Sequence, residues 1–256
     1  MSSVHAAAAI GFAAKAATYA SGRPEYPDAI ADWLKTALDL GPGKTVLDLG
    51  AGTGKFTRRL VASGAEVIAV EPVADMRAEL EAALPGVLSL AGTADAIPLP
   101  DASFDAVTSA QAFHWFATPA ALAEIGRVLK PGGALGLIWN VRDESVPWVA
   151  ALTAIMTPYE GDAPRYHTGD WRRLFPAEGF GALQETVFPH GHSGPAETVI
   201  VDRVMSVSFI AALPEDEQAR VRAAVRAVIA ATPDLAEAAQ VTFPYATSAF
   251  LVRKSD

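Results

Sequence analysis

Hydrophobic positions along this chain switch repeatedly between a helical and an extended period. In "YPDAIADWLKTALDLG", Ile30, Trp33, Leu34, Ala37 and Leu38 share one helical face. Gly41 and Pro42 end that helix. "KTVLDLG" is a short apolar run closed by glycine and reads as a buried strand. "GKFTRRLVASG" reads as a helix ending at Gly64, "AEVIAVEP" as a second strand, and "VADMRAELEAAL" as a helix that aligns Met76, Leu80 and Leu84. "VLSLAGTA" and "FDAVTSAQ" supply a third and a fourth strand. Thr118 is placed to cap "PAALAEIGRVLK", with Pro119 at the first helical position. "PGG" is expected to turn the chain into a fifth strand, "ALGLIWNV".

Alternation of strand and helix through short loops predicts a parallel sheet covered on both faces. After Val141 the order changes. "SVPWVAALTAIM" reads as a helix and "LQETVFPH" as a strand. Two helices are expected in "PAETVIVDRVMSVSFIAAL" and "PEDEQARVRAAVRAVIAAT", before a closing strand in "QVTFPYATSAFLVRK". The late helices and an N-terminal helix have no place in a simple alternating sheet. The expectation is one domain over 1–256, with a core at 28–190 and 240–253 and a cap from 1–27 and 193–239 over the strand ends.

Composition narrows the partners. Half the residues are apolar (51%), enough for a full buried core and against disorder. The net charge is −9, and an acidic surface repels phosphate backbones, so nucleic acid is not an expected partner. The absence of cysteine removes disulfides, thiolate zinc and a cysteine nucleophile, and fits a cytoplasmic location. No stretch is long and apolar enough to span a bilayer, and "MSSVHAAAAIGFAAKAATYA" lacks the basic start of a signal peptide. His190 and His192 have the spacing of a metal pair but no evident third ligand, so no metal is expected.

In parallel sheets ligands bind at the carboxyl ends of the strands. The first strand ends in "DLGAGTGKFT", where Gly50, Gly52 and Gly54 form a bare turn before a helix. A phosphate-binding P-loop fails twice, at Leu49 and Phe56. A dinucleotide fingerprint fails at Lys55, which stands where the third glycine belongs, and this weakens an NAD(P)-dependent oxidoreductase reading. A nucleoside ligand without phosphates remains. Asp48 can hold a cationic amino group. Glu71 ends the second strand at the distance from which an acid reaches ribose hydroxyls. Asp95, in "GTADAIPLP", can accept from an adenine amino group or form a plain Asx-turn.

At these residues the chain resembles the class I S-adenosylmethionine-dependent methyltransferases, of the methyltransferase type 11 kind. "VLDLGAGTGKFT", "VIAVEP", "GTADAIPLPDASFDAV" and "RVLKPGGALGLIWN" match that family's successive motifs in order and spacing. "QAFHWF" and "YASGRPEYP" further resemble the small-molecule subgroup that includes trans-aconitate methyltransferase. The resemblance implies a Rossmann-like α/β fold: a doubly wound, seven-stranded sheet, mostly parallel with its last strand antiparallel. It implies S-adenosylmethionine as cofactor, held by Asp48, Gly50, Ala51, Gly52, Glu71, Pro72, Ala94, Asp95, Gln111 and Ala112. Tyr19 and Arg23 are expected to fold over it, Arg23 on its carboxylate and Tyr19 facing the sulfonium.

The acceptor is expected to be a small molecule methylated on a carboxylate or hydroxyl oxygen. Tyr26, Trp115, Trp139 and Asn140 are candidates to contact it, and Tyr159, Tyr166 and His167 lie in a stretch that could line its pocket. His114 is the candidate base, against the alternative of a histidine packed beside Trp115. Methyl transfer from a sulfonium needs no obligatory base, so a non-catalytic cofactor-binding protein on the same fold stays open. Monomer and homodimer are both compatible with the sequence.

Overall fold

The computed structural model describes residues 24–162 and 164–255. Helix α1 (Ala29–Thr36) buries Ile30, Trp33 and Leu34 as the periodicity requires. Strand β1 (Thr45–Leu49) leads through the glycine loop into α2 (Thr57–Ala62), followed by β2 (Glu66–Val70), α3 (Ala74–Ala83) and the short β3 (Leu88–Leu90). Strand β4 (Phe104–Ala110) ends in a single 3₁₀ turn, Phe113–Trp115. Helix α4 (Pro119–Val128) starts as expected, the Thr118 hydroxyl accepting from the Ala121 N–H. Then come β5 (Leu129–Arg142), α5 (Pro147–Met156) and β6 (Gln184–Gly194). A π-helical turn (Glu197–Asp202) runs into α6 (Arg203–Met205), and α7 (Ser208–Ala211), α8 (Glu215–Ala231) and α9 (Pro233–Ala236) lead to β7 (Val241–Arg253).

The seven strands form one sheet in the order β3-β2-β1-β4-β5-β7-β6. Neighbours from β3 to β5 are parallel, and β7 alone runs antiparallel to both of its neighbours. This is the doubly wound, Rossmann-like arrangement. One face packs Val46, Ala106 and Ile138 against Ile30, Leu34 and Leu60 of α1 and α2. The other packs Leu47, Val107 and Leu137 against Leu122 and Ile125 of α4, together with Phe113 and Trp171. A further apolar cluster joins Val149 and Leu152 of α5 to Ile200, Val204, Val225 and Phe243. Among the described residues no helix is long and apolar enough to cross a membrane.

Two expectations change. The "PGG" stretch does not precede β5 but bulges within it. Leu129 pairs with Phe104 and Ala134 with Ala106, so Lys130–Gly133 loop out opposite Asp105, which accepts from Lys130 Nζ at 2.8 Å. The single helix expected after Pro195 is broken: its first part is π-wound, and the chain breaks again between Met205 and Ser208. Val199, Ile200 and Val201 are consecutive β-branched residues, all buried, which disfavours a regular helix. The wider winding carries Arg203 into the interior, where its Nε donates to Tyr245 Oη at 3.1 Å.

Candidate active site

The carboxyl ends of β1, β2 and β4 open into a cavity of about 190 Å³. The β1 end puts Asp48 at its base, 1% exposed. Asp48 Oδ2 accepts from Thr57 Oγ1 at 2.7 Å, and Oδ1 from Thr108 Oγ1 at 3.4 Å. Burial pushes its pKa up to about 7, the two hydroxyls only partly opposing that. Glu71, at the end of β2, is 5% exposed. Its Oε2 accepts from the Gly52 N–H and its Oε1 from the Val73 N–H, both at 2.9 Å. Glu71 therefore clips the glycine loop to the next strand end. Burial raises its pKa too, against those two backbone bonds.

The loop glycines differ in purpose. Gly50 has φ +73°, and a Cβ there would stand 2.8 Å from Ala112 Cβ, so its bareness lets the loop meet the turn after β4. At Gly52 (φ +58°) the nearest atom to a Cβ would be Met76 Sδ, at 4.0 Å. The missing side chain leaves open space in the cavity wall, as a ligand lying along the backbone needs. The wall also includes Ala51, Pro72, Ala94, Asp95, Gln111 and Ala112. Tyr26 enters from the segment before α1, its ring edge-on to Phe56 at 4.8 Å. This donor set fits a nucleoside carrying a cationic group. The buried acid at Asp48 gains most from a positive ligand charge, and the charge of Lys55, at the end of the glycine loop, is met by Glu25 Oε1 at 3.2 Å. Tyr19 and Arg23 lie outside the described residues.

A second cavity of about 160 Å³ adjoins the first. Gln111, Trp115, Asn140 and Arg203 line both. Gln111 holds a left-handed backbone (φ 59°), its N–H donating to Ile138 O at 2.8 Å, and such strain tends to be kept where a side chain must be aimed. Asn140 ties the border together, its Nδ2 donating to Glu25 O and its Oδ1 accepting from Thr247 Oγ1.

His114 and Trp139 face only the second cavity. Trp139 is a core residue more than a pocket floor, with its ring 4.5 Å from that of Trp171 and 5.8 Å from that of Phe250. Its indole Nε1 donates to His114 Nδ1 at 3.1 Å. That bond fixes the ring: in neutral imidazole, Nδ1 is the acceptor and Nε2 carries the proton. His114 thus offers the second cavity an N–H donor, and the nitrogen able to take a proton is already engaged. This argues against the expected base.

Sequence reasoning passed over several residues. Arg142, Arg165 and Arg203 line the second cavity, with Tyr166 and His167, already noted for this region. Arg203 had a usable signal, a lone cation inside the apolar run "VIVDRVM". Arg127 braces the loop that carries Asp95, donating to Ile97 O, Leu99 O and Asp101 Oδ1.

The comparisons with known proteins agree with this geometry. The family described as "Methyltransferase domain" matches residues 47–137. An uncharacterised methyltransferase-like protein of Schizosaccharomyces pombe is 42% identical over 95% of this chain and 95% of its own. The structure of the YcgJ protein of Bacillus subtilis covers 90% of this chain and 100% of its own, with a TM-score of 0.60 and 19% identity. A phosphoethanolamine N-methyltransferase of Haemonchus contortus, solved with S-adenosyl-L-methionine, shares the fold at TM-score 0.57 and 16% identity, covering 96% of this chain and 57% of its own. The chain belongs to the methyltransferase family, and it is a class I S-adenosylmethionine-dependent enzyme.

Proposed function

We propose that the first cavity holds S-adenosylmethionine and that the enzyme methylates a carboxylate or hydroxyl oxygen of a small molecule seated in the second. The observation that carries this reading is the shared border: Gln111, Trp115, Asn140 and Arg203 line both cavities, so two ligands can meet there. When bound, the cofactor supplies an activated methyl on a sulfonium. Asp48 faces its amino group, Glu71 its ribose hydroxyls through the lone pairs left by Gly52 and Val73, and Ala94 with Asp95 its adenine. Gly50, Ala51, Gly52, Pro72, Gln111 and Ala112 complete the cofactor wall, with Tyr19 and Arg23 closing over it. Tyr26, Trp115 and Asn140 position the acceptor, and His114 donates a hydrogen bond to it. Rate enhancement then comes from alignment and exclusion of water. Residues 1–27 and 193–239 act as the cap that provides this exclusion over the core. The enzyme works in the cytoplasm as a monomer or homodimer.

Isothermal titration with S-adenosylmethionine and S-adenosylhomocysteine tests the cofactor half. Saturable binding at one site per chain is expected, and no binding to the folded protein would overturn it. A metabolite panel followed by S-adenosylhomocysteine release tests the acceptor half. Turnover confined to amines would refute oxygen as the acceptor atom.

A further inference from the structure

Three guanidinium groups, from β5, the segment before Trp171, and α6, converge on the second cavity. Arg203 is 9% exposed; its Nε is used by Tyr245, while its Nη1 is buried and has no hydrogen-bond partner among the described residues. Arg165 Nη1 and Nη2 donate to the carbonyls of Pro164 and Glu160, but its Nε is buried with no hydrogen bond among the described residues, Glu160 Oε1 standing 4.0 Å away. Arg165 also lies 4.3 Å over the Phe209 ring, which fixes its plane. Arg142 donates to Met156 Sδ, a weak acceptor, and its Nη2 is 3.9 Å from Glu144. The carboxylates in the lining are Glu144 and Glu160, so cations outnumber anions there.

Burial of a cation with unused donors is unfavourable unless a counter-charge arrives. The crowding shows in Arg142, whose pKa is lowered to about 10 by burial and by the neighbouring Arg203 charge. Planar guanidinium forks match carboxylate and phosphate oxygens. The His114 Nε2–H and Ser208 stand at the same cavity and add neutral polar groups.

We propose that the second cavity is an anion subsite, and that the methyl acceptor is a small molecule anchored there through a carboxylate or phosphate by Arg203, Arg165 and Arg142. The anchored group fixes the rest of the acceptor toward the border formed by Gln111, Trp115 and Asn140. The inference rests on the reading of the first cavity as the cofactor site.

The test is calorimetric titration of the full chain with succinate and, separately, with inorganic phosphate. Each titration is run at constant ionic strength, with and without saturating S-adenosylhomocysteine, and with glycerol as neutral control. At least one anion is expected to bind saturably at one site per chain, and the preferred arm identifies carboxylate or phosphate. Arg165→Gln and Arg203→Gln should each weaken it by about tenfold or more. Arg165→Gln should leave S-adenosylhomocysteine affinity within about twofold, because Arg165 lies outside the first cavity. Tyr245→Phe controls for fold, since it removes the Arg203 bond but no charge. Absence of binding by both anions, or anion affinity equal to wild type in both arginine variants, would overturn the subsite. Loss of S-adenosylhomocysteine binding alone, with the anion still bound in the ligand-free protein, would instead overturn the cofactor reading.

Discussion

Replacing Asp48 by asparagine tests the electrostatics of the cofactor cavity most directly. Asp48 is fully buried, and its pKa rises from 3.8 to about 7 in the folded chain. The native state therefore holds this proton more tightly than the unfolded chain does. Its contribution is complete below pH 4 and is lost as pH climbs toward 7. The difference is roughly 3 units, or about 4 kcal/mol of stability lost by pH 8. Asparagine keeps the shape and an acceptor for Thr57 but carries no charge to desolvate. Urea unfolding of wild type and Asp48→Asn from pH 4.5 to 8.5 should show the variant gaining relative to wild type as pH rises, with the change centred between 4 and 7. Taking the difference cancels other groups, Glu71 included. Cofactor binding should reverse the ranking. A cationic amino group favours the ionised aspartate, so S-adenosylhomocysteine should bind wild type more tightly as pH rises through 7, and Asp48→Asn roughly ten- to hundredfold more weakly at pH 8. A pH-independent stability difference would refute the buried, proton-holding aspartate. Equal affinities would refute its role toward the ligand.

Glu71→Gln retains one acceptor but turns an amide N–H toward the N–H of Gly52 or Val73, so the glycine loop loosens; S-adenosylhomocysteine affinity should fall about tenfold by calorimetry, and an unchanged value would remove Glu71 from the site. Gly50→Ala places a Cβ 2.8 Å from Ala112 Cβ at φ +73°, combining backbone strain with overpacking; a loss of about 2–5 kcal/mol should lower the melting temperature by roughly 5–15 °C in a thermal scan, and no change would contradict the packing. His114→Gln keeps an N–H donor near the Nε2 position and should retain turnover within about threefold, whereas a lost general base would cost about a hundredfold or more. Nitrogen NMR should find His114 protonated on Nε2 in wild type, and an Nδ1–H signal would refute the bond from Trp139.

What the sequence made legible is what lies together in the chain. Asp48, the glycines and Glu71 each follow a strand directly, and parallel strands deliver their carboxyl ends to one edge, so reading strand ends was enough to assemble the first cavity. Even there the sequence did not show that Glu71 holds the Gly52 N–H, because that bond depends on how the loop folds back. The second cavity was hidden for the same reason in reverse. Arg142, Arg165 and Arg203 come from three separate segments that only the folded chain brings together. Apolar spacing misled at Val199–Met205: it suggested an ordinary helix, while the consecutive β-branched residues and their burial go with a π-turn that directs Arg203 inward. What weighs against His114 as a base is one contact the sequence did not show, a tryptophan on the adjacent strand whose N–H engages the imidazole Nδ1.

The two cavities also divide the charge of the site. Two buried acids, Asp48 and Glu71, line the first cavity, Arg142 and Arg165 line the second, and Arg203 stands on the border beside the neutral side chains of Gln111, Trp115 and Asn140. In a chain of net charge −9 the long-range field opposes an anion, so the positive cavity cannot be a by-product of overall composition. Where protein rather than water surrounds the charges, attraction between fixed charges and a ligand is stronger than at the surface. On the proposed reading, a cationic ligand is drawn toward Asp48 and Glu71 and an anionic one toward Arg142 and Arg165. Each complementary wall also disfavours exchange of the two. On the proposed reading, Gln111, Trp115 and Asn140 supply orientation rather than charge at a border that Arg203 shares, and alignment of methyl donor and acceptor there needs no general base between them.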